Sequence, residues 1–113
     1  MADCIFCKII AGEIPSAKVY EDDDMLAFRD INPQAKVHVL VVPKSHFATL
    51  AEMNDAQAEL VKKCMKKIPQ IASSLGLSDG YRLIVNQGEA AGQTVHHLHI
   101  HILGGQNMGE KML

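Results

Sequence analysis

At 113 residues, with eleven Lys plus Arg against thirteen Asp plus Glu, the chain carries a formal net charge of −2 and has the length of one domain, read over 1–113. A hydrophobic share of 48% and a charged share of 21% exclude a disordered tail or an acidic linker. A pI near 6.3 argues against a nucleic-acid partner held by phosphate neutralisation, which needs a clustered cationic surface.

Three Cys (Cys4, Cys7 and Cys64) are too few and too odd in number for a disulfide scaffold. The N-terminal stretch has an acid at Asp3 where a secretory leader would be basic. The longest apolar run, around Val37 to Pro43, contains His38 and is far too short to span a bilayer. The expectation is a cytoplasmic protein with no membrane contact.

In chain order, Cys7–Ala11 reads as a short helix closed by Gly12. Lys18–Glu21 and Met25–Arg29 read as two strands of a hairpin, separated by three consecutive Asp residues at 22–24. Val37–Val42 is nearly all apolar and β-branched, which predicts a central strand buried on both faces and ended by Pro43. Over 54–75, Leu60, Cys64, Ile68, Ile71 and Leu75 recur at helical spacing, with Lys62, Lys63, Lys66 and Lys67 mainly on other faces as a solvated surface. Asn54 or Asp55 can cap this helix, Gly76 can end it, and Pro69 should kink or divide it. Tyr81–Asn86 and His97–Leu103 complete the set as strands. The order predicts an α+β fold: a five-stranded, mainly antiparallel sheet with one long and one short helix.

Six His are present, four of them between His96 and His101. Strand alternation would put His97, His99 and His101 on one face and Leu98, Ile100 and Ile102 in the core. A merely solvated face would normally draw Lys, Glu, Thr or Ser, so three imidazoles in alternation point to chemistry. Alternating imidazoles can converge on a metal, or a central imidazole can act as a nucleophile while its neighbours bind developing charge. The polar turn Gly92-Gln93-Thr94 at the strand entry offers N–H, amide and hydroxyl donors that suit an anion such as phosphate. Read as residues alone, His38 and His96 are structural, and Cys64 is a small buried hydrophobe.

His97-Leu98-His99-Ile100-His101-Ile102-Leu103 resembles the His-φ-His-φ-His-φ-φ motif (φ apolar) of the histidine triad (HIT) family of nucleotide hydrolases and transferases. The likeness runs through Ile5-Phe6, Glu13-Ile14-Pro15, Ala27-Phe28-Arg29-Asp30-Ile31, Pro43-Lys44, His46, Gly80-Tyr81-Arg82 and Asn86. The Leu103-Gly104-Gly105 ending is similar to the nucleoside-phosphoramidase branch.

This resemblance implies the five-stranded antiparallel fold, and a homodimer in which two sheets become one. It implies that His99 attacks the α-phosphorus of a purine nucleotide, that His101 assists the leaving group, and that His97 completes the catalytic face. Gln93, Thr94 and Asn86 would bind phosphate or orient the nucleophile, and Asp30 would hold the ribose hydroxyls. Ile5, Phe6, Ile14, Phe28, Arg29 and Ile31 would line the purine pocket. The implied activity is hydrolysis of nucleoside 5′-phosphoramidates or aminoacyl-adenylates, releasing AMP or GMP, with no organic cofactor. The tail after Gly105 lacks the aromatic found near the end of some relatives, which leaves the leaving-group preference open.

Cys4 and Cys7 form a C-x-x-C pair, which by itself suits a redox pair, two incidental thiols or half of a metal site. The family likeness implies a structural Zn²⁺ held by Cys4, Cys7, His46 and His97. Three other readings stay open: hydrolysis of dinucleoside polyphosphates, a non-catalytic nucleotide-binding or scaffold protein, and a metalloenzyme with zinc on His97, His99 and His101.

Overall fold

The computed structural model describes residues 3–113, so the first two residues of the unit read over 1–113 lie outside the described residues. Two α-helices, α1 (Ile5–Ile10) and α2 (Asp55–Ser74), accompany five strands: β1 (Lys18–Glu21), β2 (Met25–Arg29), β3 (Val37–Pro43), β4 (Tyr81–Ile84) and β5 (Ile100–Gly104). The strands form one sheet in the order β1-β2-β3-β5-β4, with every pairing antiparallel.

β3 is the central strand, as its apolar sequence requires. Its alternating side chains feed two cores. On one face Val39 and Val41 join Met25, Ala27, Ile100 and Ile102 under Cys64, Ile68, Ile71 and Ala72 of α2. On the other, Leu40 and Val42 join Leu26 and Phe28 under Phe6 and Ile9 of α1. Ile68 and Ile71 of the α2 stripe each contribute roughly 1.5–3 kcal/mol by leaving water. The short α1 spans much less of its face than the 20-residue α2 does of the other. His38 and His101 stand on the α1 face, because His38 alternates with Leu40 and the register pairs Leu40 with His101.

The elements depart from the sequence expectations in four places. The first helix runs Ile5–Ile10 rather than Cys7–Ala11, because Cys4 serves as its N-cap and accepts the Cys7 N–H at its sulfur. Pro69 does not divide α2: it lies on the exposed face, where losing one backbone donor is least costly. β4 ends at Ile84 rather than Asn86. The last strand starts at Ile100 rather than His97, since the Leu98 N–H is drawn away to the Phe47 carbonyl at 2.8 Å.

The hairpin turn is set by Asp22, whose Oδ1 accepts from the N–H groups of Asp24 and Met25. Asn54 and Gln57 form a reciprocal capping box on α2, with bonds of 2.8 and 2.9 Å. No helix among the described residues is long and apolar enough to cross a membrane. Asn54→Ala should lower stability by about 1 kcal/mol; a urea titration would show this as an earlier midpoint at unchanged slope.

Candidate active site

A cavity of about 680 Å³ opens on the α1 face of the sheet. Its apolar end is walled by Ile5, Phe6 and Ile9 of α1 with Phe28, Leu40 and Ile31. The same cavity is lined by the polar side chains of Asp30, His38, Asn86, Thr94, His99 and His101, and by Arg29, which is exposed. The chain's antiparallel crossings bring this set together from residues 5–9, 28–31, 38–40, 86, 94 and 99–101.

Three expected residues lie elsewhere. Ile14 packs against the α1 core rather than into the cavity. Gln93 is 2% exposed, and its amide is turned into the loop: Nε2 donates to the Ala48 and Val95 carbonyls, and Oε1 accepts from the Gly88 N–H. It therefore shapes the turn, whose Gly88 and Gly92 both adopt φ +88°, a conformation that costs glycine least. His97 is fully buried behind the cavity, because the irregular backbone before β5 breaks the alternation that would have aligned it with His99 and His101. The three imidazoles do not converge on one point, so a metal centre built from them has no geometric support among the described residues.

Backbone groups fix where each imidazole keeps its proton. A carbonyl can only accept, so His97 donates from Nε2 to Pro43 O at 2.8 Å, and His99 donates from Nδ1 to His97 O at 2.7 Å. His99 is thereby left with its lone pair on Nε2. The Gln34 N–H donates to His38 Nδ1 at 3.0 Å, which obliges His38 to carry its proton on Nε2. That nitrogen lies 2.8 Å from His101 Nδ1, which accepts, so the His101 proton sits on Nε2. His101 Nε2 is buried with no protein partner among the described residues.

His38 is therefore part of the site, a role that the sequence reading missed by treating it as structural. Asp30 Oδ2 lies 3.5 Å from His38 Nε2, while Oδ1 accepts from the Asn32 N–H at 2.8 Å and holds the turn. Asp30, His38 and His101 converge closely enough to suggest a metal site. The donor chemistry opposes it: His38 would need a lone pair on Nε2, and the Gln34 amide forces the proton to that nitrogen.

Burial is the largest influence on His38, His99 and His101, and it pushes each below the ordinary imidazole range despite the opposing Asp30 charge. For His101, the neighbouring His99 and His38 add to the effect and bring it down to about 4. Phe6 supplies part of this apolar surrounding. Its ring meets that of His99 edge-on at 5.0 Å and also packs against Phe28 and His97.

A second group lies behind the triad. Cys4, Cys7, His46 and His97 offer donor atoms that all lie within 4.8 Å of one another and could hold a metal ion. Cys4 Sγ is 3.5 Å from His97 Nδ1, and Cys7 Sγ is 3.3 Å from His46 Nδ1 and 3.6 Å from His97 Nδ1. The Pro43 carbonyl, by holding the Nε2 proton, turns the His97 lone pair toward the two thiols.

The site and fold define a protein with a histidine triad on a five-stranded antiparallel sheet. The HIT domain pattern matches residues 11–108, and the chain belongs to the HIT family. It is 51% identical over 104 residues to Protein HitA of Neisseria gonorrhoeae, covering 92% of this chain and 97% of that one. A HIT family hydrolase from Clostridium thermocellum superposes with a TM-score of 0.95 at 50% identity, covering 100% of this chain and 99% of the other. A histidine triad nucleotide-binding protein from Candida albicans gives a TM-score of 0.81 at 34% identity, with 98% and 87% covered.

The lowered His101 value sets a pH dependence. An imidazole at about 4 in the fold and near 6.5 when unfolded lets the unfolded chain bind the extra proton first. Its contribution is intact above pH 6.5 and is lost progressively as pH falls toward 4. Urea midpoints should drop between about pH 7.5 and about pH 5, and the drop should shrink in His101→Asn.

Proposed function

We propose that the chain hydrolyses purine nucleoside 5′-phosphoramidates or aminoacyl-adenylates through a nucleotidyl-His99 intermediate, releasing AMP or GMP. The observation that carries this reading is the complementary pair of tautomers on one cavity: a lone pair on His99 Nε2 and a proton on His101 Nε2. The name of the Candida albicans relative, a nucleotide-binding protein, supports the ligand class.

The purine would occupy the apolar end, between Ile5, Phe6, Phe28 and Ile31, with the ribose hydroxyls on the free lone pairs of Asp30. Thr94 and Asn86, which line the same cavity, would donate to phosphate oxygens. Gln93 would act through the shape of the turn, since its own amide is committed to the loop. His99 Nε2 attacks the α-phosphorus, a P–Nε2 bond forms, and the bond to the leaving group breaks. The new imidazolium keeps its Nδ1–H bond to the His97 carbonyl, which stabilises the positive charge. The His101 Nε2–H donates a hydrogen bond to the departing nitrogen and assists its protonation from solvent, since a neutral imidazole does not surrender its one proton. In the second step water attacks phosphorus, its proton passes to solvent, and the P–Nε2 bond breaks to free His99 as the neutral imidazole.

The Cys4, Cys7, His46 and His97 group fits Zn²⁺. Bonds of about 2.3 Å to sulfur and about 2.0–2.1 Å to nitrogen in a tetrahedron put S and N donors about 3.6 Å apart, close to the separations observed. The ion would be structural, tying the α1 N-terminus to the segment that enters β5. The homodimer is proposed on the free outer edge of β4, where a second copy could continue the sheet.

Rapid-quench mass spectrometry with an adenosine phosphoramidate should show an AMP adduct on His99. His99→Ala should lose at least about 10³-fold in kcat while still binding AMP; neither adduct nor AMP release from the intact chain would sink the enzymatic reading. Metal analysis should give about one zinc per chain, lost in Cys4→Ala and kept in His99→Ala. Zinc that survives Cys4→Ala would place the metal elsewhere.

A further inference from the structure

The three thiols stand in very different surroundings. Cys64 is fully buried under α2, and burial pushes its thiol up to about 12, which keeps it protonated and inert. Cys4 and Cys7 are half-buried and sit on the first turn of α1, with the Cys7 N–H directed at Cys4 Sγ at 3.4 Å. All four donor atoms of their group, both sulfurs included, lie within 4.8 Å of one another. A separate cavity of about 300 Å³, lined by Asp3, Cys4, His46 and His96, reaches this group without passing through the nucleotide cavity. Ile5, Thr94 and Val95 form the partition between the two.

We infer that Cys4 and Cys7 are a peroxide-oxidisable dithiol, whose closure to a disulfide ejects the metal and releases α1 from the segment that enters β5. The inference rests on reading Cys4, Cys7, His46 and His97 as a zinc site. Metal-bound cysteines are held as thiolates, the nucleophilic form. One thiolate attacks the O–O bond of hydrogen peroxide, giving a sulfenic acid and hydroxide. The second thiolate attacks that sulfur, the S–S bond forms, and a second hydroxide leaves. The two sulfurs together lose two electrons, and peroxide takes them up.

The remaining ligands, His46 and His97, are two where a structural zinc needs four. α1 then keeps only its packing. Because α1 carries Ile5 and Phe6, and Phe6 packs on both Phe28 and His99, its release loosens the apolar end of the nucleotide cavity. The His97 carbonyl and its bond to His99 Nδ1 use no metal, so oxidation weakens nucleotide binding more than it alters the nucleophile.

The test uses the zinc-reconstituted full chain, titrated with hydrogen peroxide and read by a zinc-binding dye, intact mass and peptide mapping. Expected are about one zinc released per chain and a loss of about 2 Da on the peptide joining Cys4 to Cys7. Cys64 should react with an alkylating agent only after denaturation. Dithiothreitol with added zinc should restore the starting mass and metal content. AMP binding by calorimetry should weaken by about tenfold in the oxidised form and recover on reduction.

Zinc retained at about tenfold peroxide excess, sulfinic acids without a disulfide, or a bridge to Cys64 would each overturn the inference. A chain that takes up no zinc on reconstitution defeats the zinc reading and the ejection with it. Zinc uptake without peroxide-driven release defeats the ejection alone.

Discussion

An imidazole has two nitrogens and, when neutral, one proton. The site depends on which nitrogen holds it, and main-chain groups make that choice. The Pro43 and His97 carbonyls each demand a donor, while the Gln34 amide demands an acceptor. From these three bonds, with the His38–His101 contact that passes the Gln34 constraint on, follow the lone pair on His99 Nε2, the proton on His101 Nε2 and the lone pair on His97 Nδ1 that faces the thiols. A backbone group cannot change its sign as a donor or acceptor. The assignment is therefore rigid wherever the fold holds those peptides in place, and burial reinforces it by opposing a second proton on any of the rings.

The fold supplies those peptides from positions far apart in the chain. Pro43 ends the central strand, Gln34 lies in the loop before it, and His97 precedes the strand that pairs with it. The face that carries the histidines is covered by only a six-residue helix. That partial cover gives the site its shape. It buries His99 against Phe6, yet leaves room for a ligand between the helix and strands β2, β3 and β5. The long α2 covers the opposite face, where Cys64, Ile68, Ile71 and Ala72 are buried against the sheet. The α1 face holds the cavity.

Much of this was legible in the residues themselves. β1 and β2 match their expected ranges, because turn-forming Asp residues bracket them on the inner side. α2 matches closely, because a 20-residue amphipathic stripe between a capping Asn and a terminal Gly leaves little ambiguity. The histidine motif pointed to the family and to the cavity face. Strand alternation over 97–103 did not hold, since it assumes a regular backbone and the Phe47 carbonyl interrupts it at Leu98. Gln93 looked like a phosphate donor because its chemistry allows it. The loop takes every one of its bonds, and no local pattern reveals that.

The sequence by itself determined the fold class, the family, and the residue types available for chemistry, because periodicity, capping and motif spacing are local properties. It also showed two thiols in a C-x-x-C pair, which the family likeness joined to His46 and His97. Only the tertiary structure decided that His38 belongs with His101, that His97 turns from the cavity to the thiols, and that each ring has one defined tautomer. Those outcomes depend on strand register and on which carbonyl or amide faces a ring across the sheet. The His38–His101 contact joins residues 63 positions apart and the Cys4–His97 contact 93, and a one-residue shift in pairing would point every side chain of a strand to the other face.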